Sequence, residues 1–198
     1  MVPLNVPNVL TVVRILLVPV LVVALLDKTG GGDLLAAIVF AVASVTDAID
    51  GYLARARNSI TTFGKLMDPI ADKLLIIAAL VALVSLGRLE AWVAMVIICR
   101  EFAVTALRLA AGAGQGVVIS ASSFGKLKTA TQVLMVMALI AFDERSAWIT
   151  AIVYVTVIVT VLSGADYFFG LRHRLSDAGG AESSRAGAGA DLNGRAQP

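Results

Sequence analysis

The chain has 198 residues, of which 59% are hydrophobic and 15% charged, with a formal net charge of +2. Soluble domains run about 45–50% apolar and about 25% charged, so this composition argues against a water-soluble fold and for one integral membrane domain. The small net charge, with basic residues near the ends of apolar runs instead of in one patch, argues against a nucleic-acid partner and suits membrane lipids or phosphorylated substrates.

In chain order, residues 1–9 form a short juxtamembrane segment punctuated by Pro3 and Pro7, able to lie along the membrane surface. Six apolar runs follow, each of a length that suits a membrane-spanning helix: Leu10 to Leu26, Leu34 to Tyr52, Leu66 to Leu86, Ala91 to Ala111, Leu127 to Phe142 and Trp148 to Phe169. Turn-forming clusters separate them, at Asp27 to Asp33, Arg55 to Gly64, Gly87 to Glu90, Gly112 to Ser123 and Asp143 to Ser146. Several runs are expected to continue as helices past the hydrocarbon edge. The first is too long for a signal-peptide core and no small-residue cleavage pattern follows it, so it is expected to stay in the mature protein. Residues 10–172 thus read as one six-helix domain. Residues 173–198, rich in Ala, Gly and Ser, read as a disordered cytoplasmic tail with too little apolar area to offset ordering entropy.

Alternate loops differ in charge. With the N-terminus inside, one side receives Arg55, Arg57, Lys65, Arg108, Lys126, Lys128, Arg172 and Arg174, and the other Lys28, Arg88 and Arg145. Positive charge collects on the cytoplasmic side, which places both termini there. Cys99 has no partner for an intrachain bridge and reads as a small buried hydrophobe. His173, between Arg172 and Arg174, reads as part of a basic cytoplasmic anchor; Asp166, near the end of the sixth run, as a helix cap or a partner for a cation.

Against this apolar background stand Asp47, Asp50, Asp68 and Asp72. An ionised carboxylate is expensive in a membrane, so four of them near one face imply cations. On a helix, Asp47, Asp50 and Ala54 share a face, and Gly51 removes side-chain bulk where a ligand would approach the backbone. Gly64, Asp68 and Asp72 step by four along about 12 Å of the next helix. Facing each other across a hairpin, two carboxylates from each helix would enclose two divalent cations about 4 Å apart, a clamp for a pyrophosphate. Oxygen-only donors select Mg2+ or Mn2+ over zinc.

The pattern Asp47-x2-Asp50-Gly51-x2-Ala54-Arg55-x8-Gly64-x3-Asp68-x3-Asp72 resembles the complete signature of the CDP-alcohol phosphatidyltransferase family. The resemblance implies an all-α, six-helix membrane enzyme with a polar cavity on the cytoplasmic side, usually a homodimer, that displaces CMP from a CDP-linked lipid with an alcohol. It implies that Asp47, Asp50, Asp68 and Asp72 bind the metals, with Asp72 also the catalytic base. Gly51, Arg55 and Thr61 would line the cytidine diphosphate pocket with Asp47, Asp50, Ala54 and Gly64, and Asn8 and Thr11 would belong to a segment closing over the nucleotide. The chemistry agrees: a primary alcohol needs a base within reach, and Arg55 would offset charge developing on the diphosphate.

Acceptor recognition falls to other residues. Arg100 and Arg108 lie eight apart on one helix face with Glu101 beside the first, and Lys126 and Lys128 open the fifth run at the same depth. Together they read as a pocket for a phosphomonoester, against the alternatives of lysines snorkelling to lipid phosphate and of Arg100 pairing with Glu101 or the aspartates. Asn5 to Thr11 with Arg14, Gly64 to Lys73, and Cys99-Arg100-Glu101 with Leu107-Arg108 resemble the phosphatidylglycerophosphate synthase branch of the family. That branch implies CDP-diacylglycerol as donor and sn-glycerol 3-phosphate as acceptor, in phospholipid biosynthesis at the bacterial cytoplasmic membrane. Sister transferases using inositol phosphate, serine or phosphatidylglycerol are the near alternatives. A divalent-cation carrier is the remote one, disfavoured because its acids would be spaced across the membrane. An intramembrane prenyltransferase, which also pairs aspartates with magnesium, would need more spans.

Overall fold

The computed structural model describes residues 6–27, 31–57, 62–115, 123–142 and 146–169, with side-chain detail for 9–27, 31–46, 70–71, 73–108, 125–142 and 146–169. Six helices and no strand occur among the described residues: α1 (Val6–Leu26), α2 (Gly32–Arg57), α3 (Thr62–Ser85), α4 (Ala91–Gln115), α5 (Ser123–Ala141) and α6 (Ala147–Phe169). Each contains one of the apolar runs, save that Leu86 and Phe142 fall just past the ends of α3 and α5. The helices overrun them as expected, α2 to Arg57, α3 back to Thr62, α4 to Gln115 and α5 back to Ser123, so the turn clusters at 55–64 and 112–123 are shorter than their composition implies. Charged and polar residues past the hydrocarbon edge continue the hydrogen-bond ladder at no desolvation cost, and no proline stops it there. The first helix likewise begins at Val6, inside the segment read as lying on the surface. Residues 170–198, with the expected tail and His173, lie outside the described residues.

By length and composition, α1 over Val9–Leu26 and α6 over Ala147–Phe169 are apolar enough to cross a membrane. Apolar stretches also fill Gly32–Thr46 of α2 and Lys73–Ser85 of α3, so each of these helices is greasy at one end and charged at the other. Only residues 58–61 separate α2 from α3, and it is the charged ends that they join.

α1 packs against α2 and α3, α5 against α2 and α3, and α4 against α3. Lipid offers no hydrophobic drive between helices, so association relies on close contact, which small residues permit. Ala24, Ala36, Ala43, Ala71, Ala79, Ala82 and Ala94 are all buried, interleaved with Leu21, Leu25, Phe40, Leu80, Leu83 and Ile97. The outer faces are the reverse of a soluble protein's: Leu16, Val23, Leu34, Met95 and Phe169 are each more than 60% exposed. Cys99 lies on this outer surface, exposed, not buried as its apolar neighbours suggest. Its position on α4 rotates it outward by one residue from Arg100, which faces inward.

Two glycines make the turns at the far end. A Cβ on Gly32 would lie 2.6 Å from the carbonyl oxygens of both Ala24 and Asp27, so the start of α2 crosses the end of α1 closer than any side chain permits. Gly87 adopts φ +72° and closes α3 with a Schellman motif, its N–H donating to Val84 O and that of Arg88 to Leu83 O, both at 3.0 Å. Arg88 then reaches back to α2 and donates two hydrogen bonds to the Asp33 carboxylate, each 2.8 Å.

Candidate functional site

The register that builds the site starts on α4. Arg100, Val104 and Arg108 recur every four residues on one face, flanked by Glu101 and Thr105, and all five line a cavity of about 860 Å³. The cavity wall is shared by five helices. α1 adds Arg14, α2 adds Ser44 and Val45, α3 adds Lys73, Leu75 and Ile76, and α5 adds Lys126, Lys128 and Thr129 among others. Among the described residues, six basic side chains thus meet one carboxylate, Glu101, around a single space. Like charges confined together in a low-dielectric surrounding repel strongly, and an anionic ligand relieves that repulsion.

Arg100, Arg108, Lys126 and Lys128, expected as one pocket, are therefore brought together. Their individual settings differ. Lys126 is exposed, whereas Lys128 is buried and its ammonium pairs with Glu101, so Lys128 does not snorkel. Glu101 lies 3.7 Å from Arg100, longer than a hydrogen bond, and the guanidinium of Arg100 instead donates to the Ser163 hydroxyl on α6. The guanidinium carbon of Arg108 stands 5.1 Å from the centre of the Tyr167 ring, a cation–π contact, again on α6. Asp166, on the same helix, is exposed.

Arg14 and Lys73 are cavity cations that function-directed reading of the sequence did not select, although both fall in segments that carry the branch resemblance. A signal exists for Arg14: an arginine inside a run this apolar is as costly as an aspartate, and it is only 3% exposed. Thr11, one turn earlier, is equally buried, so this face of α1 points into the bundle.

Asp47, Asp50, Gly51, Ala54 and Arg55 fall on α2, and Gly64, Asp68 and Asp72 on α3, so both halves of the motif are helical as their spacing requires. Their side chains, with that of Asn8 on α1 and all of Thr61, lie outside the described residues. What is described is their immediate neighbourhood. The cavity reaches Ser44 and Val45, the turn of α2 before Asp47, and Lys73, next in sequence to Asp72. The described part of the cationic wall thus borders the aspartate-bearing turns.

An all-helical bundle with apolar outer faces, and a cationic cavity running up to paired aspartate turns, defines a membrane protein that handles phosphorylated ligands. The chain belongs to the CDP-alcohol phosphatidyltransferase family, whose match spans residues 4–162. It is 41% identical over 187 residues to the CDP-diacylglycerol--glycerol-3-phosphate 3-phosphatidyltransferase of Bacillus subtilis (strain 168), covering 83% of this chain and 93% of that protein. It is also 41% identical over 183 residues to the probable phosphatidylglycerophosphate synthase of Mycobacterium tuberculosis (strain ATCC 25618 / H37Rv), covering 89% and 84%. A Rickettsia felis protein named for the same transferase activity as that of B. subtilis is 35% identical over 170 residues, covering 83% of this chain and 93% of its own length.

Proposed function

We propose that this chain transfers the phosphatidyl group of CDP-diacylglycerol to sn-glycerol 3-phosphate, forming phosphatidylglycerophosphate and CMP in phospholipid biosynthesis. The observation that carries the reading is the cavity, in which six cations converge beside the aspartate-bearing turns of α2 and α3. Such a space suits an acceptor that bears its own phosphate, and the relatives named for this reaction support that choice over serine.

Family members generally use divalent cations. The donors here fit them: four carboxylates, hard oxygen ligands, on two segments that are helical throughout. In this reading Asp47, Asp50, Asp68 and Asp72 hold two Mg2+ or Mn2+ ions, whose charge, when bound, offsets that of the diphosphate.

The chain's own groups do the rest. Arg100, Arg108, Lys126 and Lys128 take the acceptor's phosphate and leave its free primary hydroxyl toward the aspartates. Holding two reactants in one site replaces a bimolecular encounter with an oriented one. Asp72 accepts the hydroxyl proton as the oxygen attacks the lipid-bearing phosphorus. A new P–O bond forms, the P–O bond to CMP breaks, and the electron pair leaves with CMP. Arg55 stabilises the charge gathering there, while Gly51, Ala54, Thr61, Gly64, Asn8 and Thr11 shape the nucleotide's seat. The bias of basic residues supports a site facing the cytoplasm in the bacterial cytoplasmic membrane. The family resemblance supports a homodimer.

The test supplies labelled CDP-diacylglycerol with glycerol 3-phosphate, inositol phosphate, serine or phosphatidylglycerol in turn. Lipid product and CMP are expected with glycerol 3-phosphate, and product with another acceptor alone would refute the choice. Asp72→Asn is expected to lower turnover by at least about 10²-fold while CDP-diacylglycerol still binds. Near-normal turnover would remove Asp72 as the base.

A further inference from the structure

The helix that lines none of the cavity touches both of its α4 arginines. α6 contributes no residue to the cavity wall, yet Ser163 accepts a hydrogen bond from the Arg100 guanidinium and the Tyr167 ring lies under that of Arg108. Ser163 and Tyr167 are one helical turn apart, so a single face of α6 serves two arginines that are two turns apart on α4. Between them Gly164 leaves room for the stem of Arg100: a Cβ there would lie 3.3 Å from Arg100 Cγ. Both α6 partners are enclosed, with Ser163 3% and Tyr167 8% exposed, while Arg108 itself reaches an exposed position. The Tyr167 hydroxyl makes no hydrogen bond among the described residues, so it is the ring face that meets the cation.

An unbraced arginine samples many rotamers, and a binding site must offset that entropy each time its ligand arrives. A guanidinium already held by a hydroxyl, or stacked on a ring, has lost it beforehand. We propose that Ser163 and Tyr167 are positioning residues for the acceptor site: they pre-set Arg100 and Arg108 to receive the acceptor's phosphate without touching substrate themselves. This rests on the reading of the cavity as the acceptor site. It assigns to the sixth helix a part in acceptor affinity that its exclusion from the cavity wall conceals.

The experiment measures KM for glycerol 3-phosphate, KM for CDP-diacylglycerol and kcat in the full-length chain, in mixed micelles. Tyr167→Leu removes the ring and is expected to raise the acceptor KM about five- to thirty-fold, with donor KM and kcat within about two-fold of wild type. Tyr167→Phe keeps the ring and is expected to stay within about two-fold on all three. Ser163→Ala, which deletes one hydroxyl and keeps the fold's volume nearly intact, is expected to raise the acceptor KM about three- to ten-fold. Combining Tyr167→Leu with Arg108→Ala should add little to Arg108→Ala alone, because the ring acts only through that arginine. An unchanged acceptor KM in both Tyr167→Leu and Ser163→Ala overturns the proposal, as does an equal rise in both substrates' KM or full additivity with Arg108→Ala. If Arg108→Ala and Arg100→Ala themselves leave the acceptor KM unchanged, the cavity is not the acceptor site, and this inference falls with that reading.

Discussion

Among the described residues Glu101 is the single carboxylate lining the cavity, beside six cations, and removing its charge tests the electrostatics of that cationic wall. Its carboxylate pairs with Lys128 and lies 3.7 Å from Arg100, in side chains only 11%, 8% and 13% exposed respectively. At about 4 Å and an effective dielectric of about 20, each attraction is worth roughly 4 kcal/mol before desolvation is counted. Glu101→Gln strips the counter-charge from two enclosed cations at once, and breaking a buried pair from one side costs about 3–5 kcal/mol. Lys128→Met leaves Glu101 still facing Arg100, so its cost is smaller, about 1.5–3 kcal/mol, the worth of a hydrogen bond to a charged group. The double variant should be more stable than the sum of the single losses by at least about 1 kcal/mol, since it removes both ends of one pair. Unfolding of the detergent-solubilised chain, followed through Trp92 and Trp148, measures all three. A Glu101→Gln variant within about 0.5 kcal/mol of wild type, or strictly additive single effects, would refute the claim that this carboxylate is the counter-charge of Lys128 and Arg100.

The far end of the bundle carries two further expectations. Gly32→Ala puts a methyl 2.6 Å from two backbone carbonyls that cannot swing aside, so α1 and α2 must separate, at about 1–3 kcal/mol; a thermal midpoint equal to wild type would show that the crossing is looser than described. Arg88→Ala removes the bidentate pair with Asp33, whose side chain is 44% exposed, so the loss should not exceed about 1 kcal/mol. Asp33 precedes Val45 of the cavity by about 18 Å of helix, and turnover of that variant should equal wild type in the transferase assay.

The number and order of the described helices and the helical placement of the aspartate motif were legible from sequence because each is a local property. An apolar run of about 20 residues must be helical in a membrane, where every backbone polar group has to be satisfied within the segment. The spacing of Asp47, Asp50, Asp68 and Asp72 is likewise a statement about two helices taken singly. Membership of the family follows from that spacing and needed no tertiary structure. The grouping of Arg100, Arg108, Lys126 and Lys128 was also legible, because charges at one depth of a bundle have few places to go.

Helix rotation was not legible. In a soluble helix the apolar stripe marks the buried face, but here both the lipid-facing and the bundle-facing sides are apolar, and the pattern that would orient each helix is weak. Hence Cys99 was expected inside and stands outside, and the choice left open for Lys128, between the pocket and snorkelling to lipid phosphate, was decided only by its inward turn to Glu101. Sequence alone determined the six helices found among the described residues and the aspartate motif that marks this family. Only packing decided that Arg14 and Lys73 join the cavity, that Glu101 answers Lys128, and that α6 stands behind Arg100 and Arg108. Those contacts link residues far apart in the chain, and they depend on how small side chains let neighbouring helices approach and turn.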